Sequence, residues 1–278
     1  MCMGLVFAQT EEEATKDTRP VYMPFESGQL IDQQTVYIPD HKTLEFVLEH
    51  RFGSIENGFE DMFGLYAPSN IRMGLNYSLT NDVMIGFGVT KTRKLTDFRL
   101  KWNVLKQTRS DNIPFTVSLY GNFGIDGRNA EVFGLDYRFQ NRYSFFGQVI
   151  IGRKINEYIS FQFAPSYTHI NKVEPGLEHD KLALSFGGRY KFSSQSSIVF
   201  NLDLPLHIRG MQETKDPDFL PGANFSLGWE IATGTHVFQI FLAAYDNLSP
   251  QYNVMTNSNK FGGKTMLIGF NMTRLWNF

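Results

Sequence analysis

Charged side chains recur at every second position inside segments that are otherwise largely apolar. Asp97, Arg99 and Lys101 form one such series, and Glu49 and Arg51 belong to another. Residues two apart in an extended strand project from the same face, so each series lies on one side of its strand. Charges on one face of a sheet can line a water-filled path and select ions by sign.

The same alternation assigns twelve charged residues to such a face. They are Glu45, Glu49, Arg51, Arg72, Asp97, Arg99, Lys101, Lys181, Arg189, Lys191, Asp203 and Glu230. Seven are basic and five are acidic, so the set sums to 7 − 5 = +2, which gives a weak bias toward anions. Opposite charges can instead pair across an enclosed space and close it, and the sequence does not decide between these arrangements.

Hydrolytic chemistry would need a histidine beside a serine, with a third polar group to orient them. Of the six histidines, His50 and His169 share the parity of apolar neighbours near predicted strand ends, and no serine of matching parity can be placed beside either. We therefore expect interfacial histidines and no catalytic residues. The chain also lacks metal-ligand spacing and glycine-rich phosphate motifs, so neither a metal nor a cofactor is expected.

The composition excludes two further classes. A net charge of −2, without a cluster of Lys and Arg, argues against binding to nucleic acid. No run of about eighteen apolar residues occurs, which excludes a transmembrane helix but not a transmembrane barrel, whose strands are apolar on one side only. The aromatic content of 15% suits the interfacial girdles of such a barrel.

Alternation of polar and apolar residues predicts about twelve strands from Leu44 onward. They are placed near 44–53, 70–79, 82–91, 96–106, 113–124, 142–153, 157–169, 180–192, 196–206, 222–232, 235–244 and 264–278. Their connections tend to alternate between short and long, as in transmembrane barrels. The segment from Glu131 to Phe139 also alternates, but counting it would make the strand number odd, so we assign it to a loop.

Twelve strands enclose more space than side chains usually fill, so the apolar faces must meet lipid. Most of these strands are also longer than the five or six residues that are typical of soluble strands. The predicted fold is therefore all-β, a transmembrane antiparallel up-and-down β-barrel of about twelve strands, which occupies residues 43–278. Its expected location is a bacterial-type outer membrane.

The segments before the barrel predict two further parts. Residues 1–9 look like the remnant of a signal peptide, with a short apolar run and Ala8 near a plausible cleavage point. A basic segment before that run is missing, which leaves open whether the start is complete. Residues 10–42 are polar and are predicted to be a periplasmic lead-in. Within them, Thr35–Ile38 fits either a short strand or a plug that enters the barrel.

The last strand ends on an aromatic residue and carries an apolar face. Counting back from Phe278 in steps of two gives Trp276, then Met272 and Phe270 beyond Arg274. This pattern resembles the carboxy-terminal signal that the barrel-insertion machinery reads. We therefore expect Phe270, Met272, Trp276 and Phe278 to form a membrane-insertion signal.

Several phrases resemble a family of membrane-bound β-barrel proteins of unknown function. They are Leu44–Phe46, His50–Gly53, Asp61–Leu65 and Asn70–Tyr77, and the likeness covers most of the chain. The resemblance implies a fold and a compartment, and it assigns no functional residues. The leading functional hypothesis is a passive pore for small solutes, and the alternative is a non-conducting structural or partner-binding barrel. The expected partners are outer-membrane lipid, the barrel-insertion machinery and small solutes.

Overall fold

The computed structural model describes residues 17–208, 220–259, 262–263 and 265–278. The predicted signal remnant at residues 1–9 and the start of the predicted lead-in lie outside these ranges. Within them, regular structure consists almost entirely of strands.

Twelve antiparallel strands close into one barrel, and a two-stranded hairpin precedes them. The hairpin consists of β1 (Gln29–Leu30) and β2 (Gln33–Gln34). The barrel strands are β3 (Thr43–Ser54), β4 (Asn70–Ser78), β5 (Val83–Thr90), β6 (Leu95–Leu105), β7 (Thr116–Ile125), β8 (Tyr143–Lys154), β9 (Ile159–Ile170), β10 (Asp180–Lys191), β11 (Ser196–Pro205), β12 (Asn224–Thr233), β13 (His236–Ala243) and β14 (Leu267–Asn277). The helix α1 (Pro250–Thr256) lies in the connection between β13 and β14.

Each barrel strand pairs with its neighbours in sequence, and β14 pairs with β3 to complete the ring. The predicted barrel of twelve strands is confirmed, and every predicted boundary lies within three residues of the observed one. The segment between β7 and β8 contains two short 3-10 turns, 130–133 and 139–142, and no strand. The assignment of Glu131–Phe139 to a loop is therefore also confirmed.

The two ends of the barrel differ in the length of their connections. At one end, which we name the short-turn end, lie the connections 79–82, 155–158, 192–195 and 234–235. The beginning and end of the barrel meet there, because the Phe278 N–H donates to the Lys42 carbonyl at 3.3 Å. At the other end, which we name the long-loop end, the connections include 55–69, 126–142 and the α1 connection.

One connection at the short-turn end is longer than the others there. Residues 106–115 join β6 to β7, and part of this connection pairs with the chain that leads into the barrel. The Val21 N–H donates to the Gln107 carbonyl at 2.8 Å, and the Arg109 N–H donates to the Arg19 carbonyl at 3.0 Å. Backbone pairing to the lead-in therefore satisfies the polar groups of this extended turn.

The two faces of the barrel wall have opposite chemistry. The outward face carries exposed apolar side chains such as Leu100, Trp102, Phe161 and Ile240. The inward face carries buried polar and charged residues. A surface that is apolar outside and polar inside suits a barrel that lipid surrounds. The described residues contain no helix long and apolar enough to cross a membrane.

Two segments occupy the barrel interior. The inner plug, residues 25–38, includes the β1–β2 hairpin, and its side chains Phe25, Leu30, Ile31 and Val36 are almost fully buried. The outer plug, residues 244–257, includes α1 and enters from the long-loop end. Apolar residues of both plugs share one buried cluster with wall residues.

Candidate functional site

The predicted wall residues lie in the barrel interior, where they surround the two plugs. Eleven of the twelve are buried, and Lys191, near the short-turn end, is half-buried. Their placement follows from the alternation of each strand. Whether they line a conducting path stays a prediction.

Arg72 is the centre of an ion network within the wall itself. Its guanidinium donates to Glu49 Oε2 at 2.7 Å and to both oxygens of Asp97 at 2.8 Å. Arg99 Nε donates to the same Asp97 carboxylate at 2.8 Å. Buried charges cost several kcal/mol each unless they are paired, so this network keeps its members inside the barrel.

Glycines on neighbouring strands make room for this network. A Cβ atom at Gly88 would lie 1.9 Å from Arg72 Nη2, and one at Gly74 would lie 2.7 Å from Arg72 Nη1. Any larger residue would have to displace the guanidinium. The ion network and the small residues opposite it therefore form one packed unit.

The tip of the inner plug hydrogen-bonds to neutral wall residues. The Ile31 N–H donates to Gln239 Oε1 at 3.1 Å, and Asn271 Nδ2 donates to the Ile31 carbonyl at 2.7 Å. Ile31 has a positive φ of 57°, which bends the chain between β1 and β2. Glutamines on either side of the tip reach carboxylates of the wall. Gln33 Nε2 donates to Asp203 Oδ1 at 2.9 Å, and Gln29 Nε2 donates to Glu49.

Both carboxylates of the inner plug bind arginines of the wall. Asp32 forms a close ion pair with Arg51, and both side chains are buried. Arg189 Nη2 donates to Glu26 Oε1 at 2.9 Å, while Arg189 Nε donates to Glu230 Oε1 at 2.8 Å.

A lysine of the wall binds the plug through its backbone. Lys101 Nζ donates to the Gly28 carbonyl at 3.0 Å and to the Tyr37 carbonyl at 3.2 Å. Together, Arg51, Lys101 and Arg189 hold the plug by three cationic groups. We name these three residues the cationic clamp.

Glycines of the wall also match the shape of the inner plug. A Cβ atom at Gly152 would lie 2.8 Å from a methyl carbon of Val36, and one at Gly187 would lie 2.6 Å from Gln33 Oε1. In contrast, a Cβ atom at Gly147, on the same strand as Gly152, would meet nothing within 4 Å. The wall is therefore complementary to the plug only on its inward face.

The hydrogen bonds that hold the outer plug join neutral groups. Gln251 Nε2 donates to Asn122 Oδ1 at 2.5 Å, and Asn224 Nδ2 donates to the Asn253 carbonyl at 2.8 Å. Tyr252 and Met255 pack in a second buried cluster with Leu95 and Ile170 of the wall. Hydrogen bonds to amides and apolar burial thus anchor α1.

A cavity of about 740 Å³ opens at the long-loop end, beside α1. Arg93 stacks over Tyr252 there, with its guanidinium carbon 4.2 Å from the ring centroid. Burial raises the pKa of the Tyr252 hydroxyl. At the same mouth, the Arg128 guanidinium donates a hydrogen bond to Asp126, which raises the pKa of Arg128.

A much smaller chamber of about 20 Å³ is lined by residues of both plugs. Arg99 and Asp203 of the wall line it, together with Gln34 of the inner plug and Asn253 of the outer plug. Two buried atoms on this lining, Arg99 Nη1 and Asn253 Oδ1, have no hydrogen-bond partner among the described residues. The chamber has about the volume that one water molecule needs.

The two histidines considered for hydrolysis lie near the long-loop end of the wall. His50 packs against Phe52 with ring centroids 4.3 Å apart. His169 Nδ1 lies 2.7 Å from Asp180 Oδ1, and the Tyr167 hydroxyl donates to the same carboxylate. These contacts fit interfacial side chains.

Sequence reasoning missed the residues of both plugs. Glu26, Asp32 and Gln33 of the inner plug were not singled out, nor was Gln251 of the outer plug. By sequence, Thr35–Ile38 fits either a short strand or a plug, and the structure places it inside the barrel without a strand. The useful signal is the apolar pair Leu30 and Ile31, which lies between Gln29 and Asp32 in a polar segment.

Comparison with known proteins identifies a family and a fold. The model of a family described as "membrane bound beta barrel domain (DUF5777)" matches residues 25–276. No curated protein matches the sequence.

Two solved structures are similar over most of their length. An outer-membrane channel of the COG4313 group from Pseudomonas putida F1 has a TM-score of 0.51 at 12% identity, and the match covers 86% of this chain and 97% of that one. The NanC porin has a TM-score of 0.51 at 9% identity, and the match covers 84% and 99%. At such identities the likeness establishes the fold alone, which is that of outer-membrane channels.

Proposed function

The chain belongs to the family of membrane-bound β-barrel domains, and from that premise we propose that it is a gated outer-membrane pore for small solutes. In the described conformation the inner plug closes the pore. Because outer-membrane barrels have short periplasmic turns and long external loops, the short-turn end faces the periplasm. The inner plug is then the periplasmic gate, and the outer plug lies at the external mouth.

One observation carries this proposal: the barrel closes without any strand of the inner plug. β14 pairs directly with β3, whereas β1 pairs only with β2. Among the described residues, each hydrogen bond between residues 25–38 and the wall involves at least one side chain, from the plug or from the wall. The plug can therefore leave without breaking the backbone ladder, and the wall that it leaves behind is polar enough to hold water.

The runner-up is a non-conducting barrel that has a structural or partner-binding role. The number of buried hydrogen bonds and ion pairs around the inner plug favours this alternative. If the plug never leaves, the barrel is a scaffold whose mouth, with its 740 Å³ cavity, faces the outside.

A reversible tether distinguishes the two functions. Ser27 Oγ of the inner plug lies 3.2 Å from Thr273 Oγ1 of β14, so a Ser27→Cys/Thr273→Cys pair places two sulfur atoms within bridging reach. Cys2 would be replaced by serine to leave one cysteine pair. Single-channel conductance is then recorded in planar bilayers under oxidising and reducing conditions.

A gated pore is expected to conduct when reduced and to fall silent when oxidised, reversibly in one preparation. Each single-cysteine variant serves as a control and should not respond to the oxidant. Silence of correctly folded protein in both states would contradict the pore and favour the scaffold. Equal conductance in both states would show that solutes pass around a seated plug, and the gate would then be wrong.

The proposed insertion signal can be tested separately. Phe278 is exposed at the end of β14, and Phe270, Met272 and Trp276 lie on the outward parity of that strand. Deletion of Phe278 should lower the amount of barrel assembled in the outer membrane of cells. Refolding in detergent should change little, because the deletion removes an exposed ring and the backbone hydrogen bond to the Lys42 carbonyl.

A further inference from the structure

The inner plug carries only two charged residues, and both bind the wall. Residues 25–38 contain Glu26 and Asp32 and no basic side chain. Each of the two carboxylates pairs with an arginine of the cationic clamp. The plug therefore presents two carboxylates to the wall, as a dicarboxylate solute would.

Arg51 depends most strongly on the plug for its charge partner. Among the described residues its ion pair is with Asp32, and its other contacts are neutral. Those contacts are Asn271 Oδ1 at 3.0 Å, its neighbouring carbonyl at His50, and the Phe241 ring at 4.4 Å. Without the plug, Arg51 would lose its carboxylate and keep only neutral partners.

Arg72 shows that this dependence is specific to the clamp. Arg72 is as deeply buried, but its two carboxylate partners, Glu49 and Asp97, belong to the wall. Departure of the plug would leave that network intact. The wall thus contains one kind of arginine that it satisfies itself and another kind that the plug satisfies.

The other two members of the clamp point the same way. If the plug left, Arg189 would keep its ion pair with Glu230 and lose its ion pair with Glu26. One edge of its guanidinium would then be free. Lys101 would lose both plug carbonyls, Gly28 and Tyr37. An emptied lumen would therefore offer three cationic groups, and guanidinium groups favour carboxylates, which they bind by paired hydrogen bonds.

We propose that the cationic clamp is a binding site for carboxylate-bearing solutes, and that Glu26 and Asp32 of the inner plug are its built-in competitor. A dicarboxylate displaces the plug by taking its place on Arg51 and Arg189, which opens the path that the same solute uses. This inference rests on the proposed pore and names its class of solute. Neutral solutes have no such contact and would not open it.

The test compares succinate with succinamide, its uncharged diamide, at equal ionic strength. Opening is recorded by single-channel conductance. Plug displacement is recorded independently, by labelling Ser27→Cys with a membrane-impermeant maleimide in the Cys2→Ser background. Ser27 is buried against Thr273, so it should react only when the plug has left.

Succinate is expected to raise both open frequency and labelling, and succinamide is expected to raise neither. The variant Glu26→Gln/Asp32→Asn should open without succinate, because breaking buried ion pairs costs enough to raise the open fraction about tenfold or more. Arg51→Gln breaks the ion pair with Asp32 as well, so it should also open more often without succinate, and succinate should then add little to that opening. Arg153→Gln, a basic residue outside the clamp, is the matched control and should respond like the unmodified chain.

Failure of the inference and failure of the pore give different results. Equal opening with succinate and succinamide would overturn the clamp proposal and leave the pore standing. Succinate-dependent labelling without conductance would support the clamp and overturn the pore. If neither labelling nor conductance responds to succinate in any folded variant, the clamp proposal is overturned.

Discussion

The inner and outer plugs fill the same barrel and share one buried apolar cluster, but among the described residues only the inner plug forms ion pairs with the wall. Arg51, Lys101 and Arg189 hold the inner plug through its carboxylates and carbonyls. Amides and buried apolar side chains hold the outer plug, with Gln251 on Asn122 as a representative contact. A charged solute can replace charged contacts, and among the described residues the outer plug has no ion pair that such a solute could replace. We therefore expect the inner plug to respond to charged solutes and the outer plug to act sterically.

The largest effect should come from removing packing contacts of the outer plug alone. Tyr252→Ala removes a buried ring and its stacking with Arg93, which should cost about 3–5 kcal/mol of local packing. The α1 connection of the folded barrel should then become a cleavage site for a protease added from outside. Labelling of Ser27→Cys should stay low, since the inner plug keeps its own contacts. Simultaneous release of both plugs would contradict their independence.

A larger wall side chain behind the inner plug should have the next largest effect. Gly152→Val places methyl groups where Val36 packs, and overpacking of this kind costs about 1–3 kcal/mol. The open fraction should therefore rise by about 5- to 150-fold, measured by single-channel conductance. Gly147→Val, on the same strand but on the outward face, is the matched control. If both variants behave alike, the fit between plug and wall does not determine the closed state.

Raising the ionic strength should have a smaller effect, and that effect should differ between the two plugs. Raising the ionic strength from about 0.1 M to about 1 M shortens the screening length from about 10 Å to about 3 Å. The buried pairs of the inner plug are only partly screened, so labelling of Ser27→Cys should increase by a small factor. Protease resistance of the outer plug should not fall. Greater salt sensitivity in the outer plug would reverse the comparison.

The smallest effect is expected at the short-turn end, outside both plugs. Arg153 pairs with Asp111 at 2.6 Å, and both side chains are partly exposed. Exposed pairs contribute about 0–1 kcal/mol, so Arg153→Gln should change the free energy of unfolding only slightly. Urea titration of the refolded barrel measures this change. A large loss of stability would show that the lead-in and turn 106–115 support the barrel.

The sequence predicted the wall far better than the plugs, for a physical reason. Alternation with a period of two fixes which residues of a strand face inward, so the position of Arg72 or Lys101 follows from local sequence. No such period exists in residues 25–38, whose conformation is set by partners that lie far away in the chain. Ser27 meets Thr273 across 246 positions, and Gln33 meets Asp203 across 170. The local sequence predicts which face of its strand carries Arg51, but it does not predict that Asp32 is the partner of Arg51.

The order of the chain also links seating of the inner plug to completion of the ring. The plug precedes β3, the first barrel strand, while β14, which joins β3, contributes Asn271 and Thr273 to the binding of the plug. A segment that precedes every barrel strand is thus bound by the last strand. A nascent barrel that has not yet bound β14 lacks part of the plug's seat. Assembly itself should therefore deliver the protein to the membrane in its shut form, so that insertion does not breach the permeability barrier.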